Sequence, residues 1–121
     1  MDDKQKTISE LKEMVKQFCD QRNWRQFHNA KELAIGISTE SGELLDHFRF
    51  KSNEEIEGFF HDSSKKEEIT HELADVLYFV VRFAEIYNID LSKALQHKIS
   101  INNKKYPIEK AKNSNKKYTE Y

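Results

Sequence analysis

A chain of 121 residues has room for one hydrophobic core and little more, so residues 1–121 are expected to form a single domain. Charged residues make up 34% of it but nearly cancel, at a formal charge of −1, which leaves no broad basic field for nucleic acid and no acidic tail. No apolar run approaches the roughly 20 residues of a membrane span and the start carries no apolar signal segment, so a soluble, cytoplasmic protein with no membrane partner is expected.

Three glycines and one proline are too few for the repeated turns of a sheet protein. Four helices are expected instead. The first covers residues 8–22, opened by Thr7 with Glu10 three positions on, a capping box. It carries the single cysteine, Cys19, which has no internal disulfide partner and reads as a half-buried helix residue. The second helix covers 30–50, with Asn29 as its cap and Glu32 in the third helical position. Residues 51–64 connect, with room for a helical turn. The third helix covers 65–87, opened by Ser64 and Glu67 as another capping box. Asp90 caps the fourth, which runs to about 106, where Pro107 stops it. The lysine- and asparagine-rich tail from about 108 reads as irregular.

The third helix has the clearest pattern. Ile69, Leu73, Val76, Leu77, Val80, Phe83, Ala84 and Tyr87 form a stripe at spacings of three and four, widened by Phe79 and Val81. That arc is broader than a four-helix monomer needs and predicts a homo-oligomer, a homodimer or homotetramer.

One substitution in the second helix breaks its period. Leu33, Ile37, Leu44 and Phe48 make the apolar stripe of "ISTESGELLDHF" and its preceding turn, yet Glu40 occupies a stripe position and Glu43 lies one turn further along its edge. The third helix offers a second pair, Glu72 and Asp75, in "HELADVLYF". If the two helices lie side by side and antiparallel, four carboxylates converge. Four anions in a partly dry cleft need neutralising, and all-oxygen donors favour Mg²⁺, Mn²⁺ or Ca²⁺ over zinc. Taken singly, each pair reads as a solvated helix face; the intrusion of Glu40 into its stripe, matched by the second pair, is what raises a metal site. The Glu-x-x-His of Glu68 and His71 points away from the stripe and has no second copy, so it reads as solvated. His47, four after Glu43, is within reach of a metal but reads as a helix-surface or interface residue.

These residues resemble the all-α nucleoside triphosphate pyrophosphohydrolases, the MazG-like superfamily, whose signature is E-x-x-E on one helix and E-x-x-D on the next long one. "RNWRQFHNAKEL", "TESGELLDHFRFKS", "EITHELADVLYFVV", "NNKKYP" and "KKYTE" are similar, in that order, to the dCTP pyrophosphatase branch, over residues 8–120. The resemblance implies a four-helix bundle of that type. It implies that Glu40, Glu43, Glu72 and Asp75 bind Mg²⁺, with Mn²⁺ a substitute, and that Glu40 or Glu43 is catalytic. It implies hydrolysis of a (deoxy)nucleoside triphosphate, dCTP or a modified dCTP first, to the monophosphate and pyrophosphate. Trp24, Phe27 and His28 match a W-x-x-F-H segment that holds base and sugar. Phe50, followed by Lys51, stands where that branch carries a base-stacking tryptophan, so stacking is retained in a smaller pocket. Lys98, Asn102, Tyr106, Lys117 and Tyr118 match positions that line the sugar or phosphate end. Without the family, Trp24 and Phe27 would read as core aromatics and the lysines as solvated.

Chemistry agrees with that expectation. A triphosphate carries about four negative charges and cannot meet four carboxylates directly; bridging Mg²⁺ would hold phosphate oxygens and acidify water, with one carboxylate orienting that water or taking its proton. Two readings of other classes stay open on the residues alone. One is a non-catalytic helical module that binds a partner or a structural metal ion. The other is a di-iron protein, weakened by the missing second Glu-x-x-His.

Overall fold

Thr7 opens the first helix by the reciprocal bonds its sequence predicts: its hydroxyl accepts from the Glu10 amide at 3.1 Å, and Glu10 accepts from the Thr7 amide at 3.0 Å. In the computed structural model, which describes residues Met1–Tyr121, the chain is helical throughout and has no strand. The helices are α1 (Ile8–Asp20), α2 (Ala30–Asp46), α3 (Asn53–Phe59), α4 (Ser63–Ile86), α5 (Leu91–Lys105) and α6 (Ile108–Ala111). Short 3₁₀ turns cover Arg25–Phe27 and Tyr118–Glu120. None of the helices is long and apolar enough to cross a membrane.

Two of these helices exceed the four expected. The connection before α4 folds into α3 because Ser52 and Glu55 form a capping box of their own. Part of the tail expected to be irregular forms α6, started by Pro107 at its N-cap. The cap of α4 is not Ser64 but Asp62, whose carboxylate accepts from the Lys65 amide at 3.2 Å, and the helix begins two residues earlier than expected. α2 ends at Asp46 rather than near Phe50, and Phe50 itself adopts a left-handed backbone with φ of 64°.

Two compact units result, Met1–Asn88 and Ile89–Tyr121. In the first, contacts run in opposite directions along α2 and α4. Gly36 meets Phe79, and further down α2 His47 meets Glu72 and Lys65. Position rises on one helix as it falls on the other, so the pair is antiparallel. Gly36 makes the close approach possible: a Cβ there would lie 2.5 Å from the Phe79 ring.

The core is thin. Cys19 from α1, Leu33 from α2, and Ile69, Val81 and Ala84 from α4 are its buried apolar residues, joined by the buried Arg82. Burial of Leu33 contributes about 2 kcal/mol. The face that α4 turns inward is therefore the Ile69–Val81–Ala84 side. Leu73 and Leu77, central to the stripe read from sequence, remain 59% and 46% exposed. They line an open groove of about 540 Å³ with Thr70, Ala74, Val76, Val80 and Asp3. Of the stripe read from sequence, Ile69 and Ala84 are buried, while Leu73, Leu77 and Tyr87 are exposed in this chain.

In the second unit, Tyr106 ends α5 and packs edge-on against Tyr118 and Tyr121, at ring separations of 5.7 and 6.1 Å. Lys105 lies over the Tyr118 ring at 5.1 Å.

Candidate active site

α2 presents Glu40 and Glu43 one turn apart, and antiparallel α4 brings Glu72 against them. One carboxylate oxygen of each lies within 4.8 Å of the others. Oε2 of Glu40 and Oε2 of Glu72 are buried without any hydrogen-bond partner. Burial, a hydrogen bond with Glu43, and the charges of Glu43, Asp75 and Glu72 push the Glu40 carboxyl up to about 7. Glu72 is raised by burial first, then by Glu43 and Asp75. A carboxylate oxygen left without a partner is unfavourable, since charged acceptors lose most by leaving water. A hard divalent cation would satisfy both oxygens at once, and a donor set made only of carboxylate oxygen fits such an ion. Asp75 stands outside this group of three. It is exposed and shares a cleft with Glu40.

That cleft encloses about 300 Å³ and is lined by Phe18, Trp24, Glu40, Asp75, Tyr78 and Phe79. It has carboxylates at one side and aromatic rings around the rest. Trp24 reaches it through a local reversal: after α1, Asn23 takes a left-handed conformation with φ of 54°, and the Trp24 amide donates back to the Cys19 carbonyl at 3.0 Å. Asparagine tolerates that region better than other non-glycine residues. Trp24 thereby meets Phe18 edge-on at 5.6 Å, and Phe18 in turn meets Tyr78 at 6.1 Å. The Tyr78 hydroxyl is occupied by the Cys19 thiol at 3.1 Å, and burial raises its pKa.

His28 lies 6.5 Å from Trp24, ring to ring. Its Nδ1 accepts from Nε of Arg82 at 3.0 Å, so its ring proton sits on Nε2. Burial, with the positive charges of Arg82 and Arg25, lowers its pKa and keeps the ring neutral. Arg82 is 1% exposed and also donates to Glu85 at 2.6 Å, leaving Nη2 without a partner.

The structure thus brings together Glu40, Glu43 and Glu72, sets Asp75 and Trp24 into the adjoining cleft, and places His28 beside Trp24. Phe27 and Lys51 are exposed and line no part of that cleft. Phe50 is 92% exposed, with its ring against the Arg49 guanidinium at 4.7 Å. Within the second unit, Tyr106 and Tyr118 are in ring contact, Asn102 is half-buried, and Lys98 and Lys117 are exposed. Glu68 and His71 lie at the surface, Glu68 3.6 Å from the Lys65 ammonium and His71 3.8 Å from the Glu67 carboxylate. Phe18, Tyr78, Phe79 and Arg82 were not foreseen as site residues. Their signal was present for Phe79, which flanks the α4 stripe beside Asp75; Phe18, Tyr78 and Arg82 acquire their places only through packing. His47, read as a helix-surface or interface residue, is half-buried at the α2–α4 contact, 3.9 Å from Glu72.

An all-helical chain with paired acids on antiparallel helices and an aromatic cleft beside them defines the class. The model of the MazG-like family matches residues 35–121, and the chain belongs to that family. Within it, the similarity runs to dCTP pyrophosphatase 1 of Homo sapiens, 32% identical over 114 residues that cover 94% of this chain and 67% of the relative. The same protein of Mus musculus is 30% identical, and that of Bos taurus 29%, again over 94% of this chain and 67% and 68% of theirs. A solved pyrophosphatase from Archaeoglobus fulgidus superposes with a TM-score of 0.76 at 33% identity, covering 83% of this chain and 92% of that one.

Proposed function

We propose that the protein is a Mg²⁺-dependent nucleoside triphosphate pyrophosphohydrolase that converts dCTP or a modified dCTP to the monophosphate and pyrophosphate, as a nucleotide-pool enzyme. The observation that carries this reading is the pair of buried, unpartnered oxygens on Glu40 and Glu72, grouped with Glu43 at one side of the Trp24 cleft. Membership in the MazG-like family and the names of the relatives support the reaction class.

Glu40, Glu43, Glu72 and Asp75 would hold the cation. Once bound, Mg²⁺ would supply Lewis acidity to phosphate oxygens and lower the pKa of water, with Mn²⁺ able to substitute. Glu40 or Glu43 accepts the proton of the attacking water. Trp24 offers its ring to the base, and His28, fixed as an Nε2–H donor, reads a base or sugar acceptor. The exposed Phe50 in its left-handed conformation extends the stacking surface, in our reading toward the cleft of a second copy. A bulky residue in that backbone region is held there against its own preference, which fits a functional rather than a packing role. The open groove along Leu73, Val76, Leu77 and Val80 is the surface on which a second copy packs, to give the homodimer or homotetramer. The roles of Lys98, Asn102, Tyr106, Lys117 and Tyr118 at the sugar and phosphates, and of Phe27 and Lys51, rest on sequence resemblance.

The test is incubation with a panel of dCTP, modified dCTP, dUTP, dTTP and purine triphosphates in Mg²⁺, reading pyrophosphate and monophosphate. Pyrophosphate release with cytosine nucleotides preferred supports the proposal. No release from any nucleotide overturns it.

A further inference from the structure

His47 follows the last residue of α2, and only 15% of its side chain is exposed. Nζ of Lys65 lies 3.0 Å from its Nδ1. An ammonium donates and has no lone pair to accept with, so Nδ1 is the bare ring nitrogen and the ring proton resides on Nε2. Nε2 lies 3.9 Å from Oε1 of Glu72, the nearest carboxylate oxygen though beyond a direct hydrogen bond. The other oxygen of that carboxylate, Oε2, is the buried one without a partner, and Glu72 is a member of the acid group with Glu40 and Glu43. Lys65 is itself held: it lies over the Phe59 ring at 5.0 Å and 3.6 Å from the Glu68 carboxylate. Lys65, set against α3 and the first turn of α4, thus meets His47 at the end of α2, and His47 lies beside one of the cluster carboxylates.

We propose that His47, fixed as its Nε2–H tautomer by Lys65, is a positioning residue for Glu72, drawing Oε1 aside so that Oε2 is committed to a cation held with Glu40 and Glu43. The same tautomer denies the site a nitrogen ligand. With Nδ1 taken by Lys65 and Nε2 protonated, His47 has no free lone pair, and the donor set stays all-oxygen. That composition favours Mg²⁺ and Mn²⁺ over Zn²⁺, which imidazole would attract. Partners that orient a ligating carboxylate in this way change metal affinity by about 10–100-fold. The inference rests on the proposed function only in placing a divalent cation at the acid group.

The experiment measures Mn²⁺ binding to the nucleotide-free protein by the free-ion EPR signal, and Zn²⁺ binding by competition, with melting in EDTA as a parallel readout. Wild type, His47→Leu, His47→Gln and Lys65→Met are compared. His47→Leu and Lys65→Met should weaken Mn²⁺ by about tenfold or more, with cation-free melting close to wild type. His47→Gln, which keeps an N–H donor at the reach of Nε2, should recover most of the affinity. Lys65→Met frees Nδ1 and should raise the affinity for Zn²⁺ relative to Mn²⁺. Unchanged Mn²⁺ affinity in both His47→Leu and Lys65→Met overturns the proposal. So does a His47→Gln variant as weak as His47→Leu, which would make His47 a packing residue. A wild-type protein that binds neither Mn²⁺ nor Mg²⁺ removes the cation reading itself, a result separable from the others. If His47→Leu fails to fold, Lys65→Met carries the same test from the other end of the contact.

Discussion

Replacing Glu40 by glutamine should stabilise the cation-free protein and remove most of the stabilisation that Mg²⁺ brings. The carboxyl of Glu40 is raised from an ordinary 4.5 to about 7, by burial first and then by Glu43, Asp75 and Glu72. The folded protein therefore holds this proton more tightly than the unfolded chain. The resulting stability is complete below about 4.5, is lost as pH rises toward 7, and above 7 the ionised side chain is a net burden in the folded state. At about 1.4 kcal/mol per pH unit the shift corresponds to roughly 3 kcal/mol. Glu43 and Asp75 are exposed, so solvent and salt screen their part, and about 1 kcal/mol is the expected relief on neutralisation. For a chain of this size that raises Tm by roughly 3–5 °C. Melting in EDTA at about pH 8 should show Glu40→Gln above wild type, and at about pH 5 the gap should shrink to about a quarter. In millimolar Mg²⁺ the order should reverse, because a ligand at about 100 times its Kd adds about 2.7 kcal/mol to wild type only. Turnover in the variant should fall by about 10²-fold or more. If Glu40→Gln melted below wild type at both pH values in EDTA, the acids would not be straining one another and the electrostatic account would fail.

Phe50→Ala should raise KM by roughly one to two decades with a smaller change in kcat, since stacking a base on an aromatic ring is worth about 1–3 kcal/mol; an unchanged KM across the nucleotide panel would move the base elsewhere. Gly36→Ala places a methyl 2.5 Å from the Phe79 ring and should cost about 1–3 kcal/mol in thermal melts. Because Phe79 lines the cleft, KM should change as well, and a variant indistinguishable from wild type would contradict the close packing of α2 on α4. Leu77→Lys puts a charge in the open groove of α4 and should yield monomers by light scattering; a wild type already monomeric at micromolar concentration would refute the assembly proposed here.

The helices that were legible in the sequence are those whose start is a local event. Thr7 with Glu10, Asn29 before α2 and Asp90 before α5 each cap the helix they precede. The cap of α4 was misplaced because Asp62, Ser63 and Ser64 are all competent, and the choice among them depends on the turn that α3 delivers. The end of α2 was misplaced for a related reason. Its apolar period continues through Phe48, but the chain leaves the helix after Asp46 and passes through a left-handed Phe50, which no propensity favours. Three of the four left-handed non-glycine residues are asparagine, at 23, 88 and 113, where the side chain tolerates that geometry. Phe50 is the exception: its side chain does not favour that region, and its ring is exposed.

The site divides along the same line between local and long-range causes. Glu40 was conspicuous in the sequence because a helix declares its buried face by period, and a carboxylate on that face violates the pattern wherever the partner helix lies. Asp75 and Trp24 join it in the cleft through the antiparallel pairing of α2 and α4, which the sequence raised only as a condition, and the Asn23 reversal, which the sequence reading did not include. His47 offered no such signal. Its spacing of four from Glu43 showed that it could reach the acids, yet spacing is indifferent to which ring nitrogen carries the proton. That is decided by Lys65, eighteen positions away on another helix. A histidine is a ligand or a donor according to its second contact, and that contact is tertiary. The chemistry most specific to this chain therefore lies in tertiary contacts such as this one, which helical period could not encode.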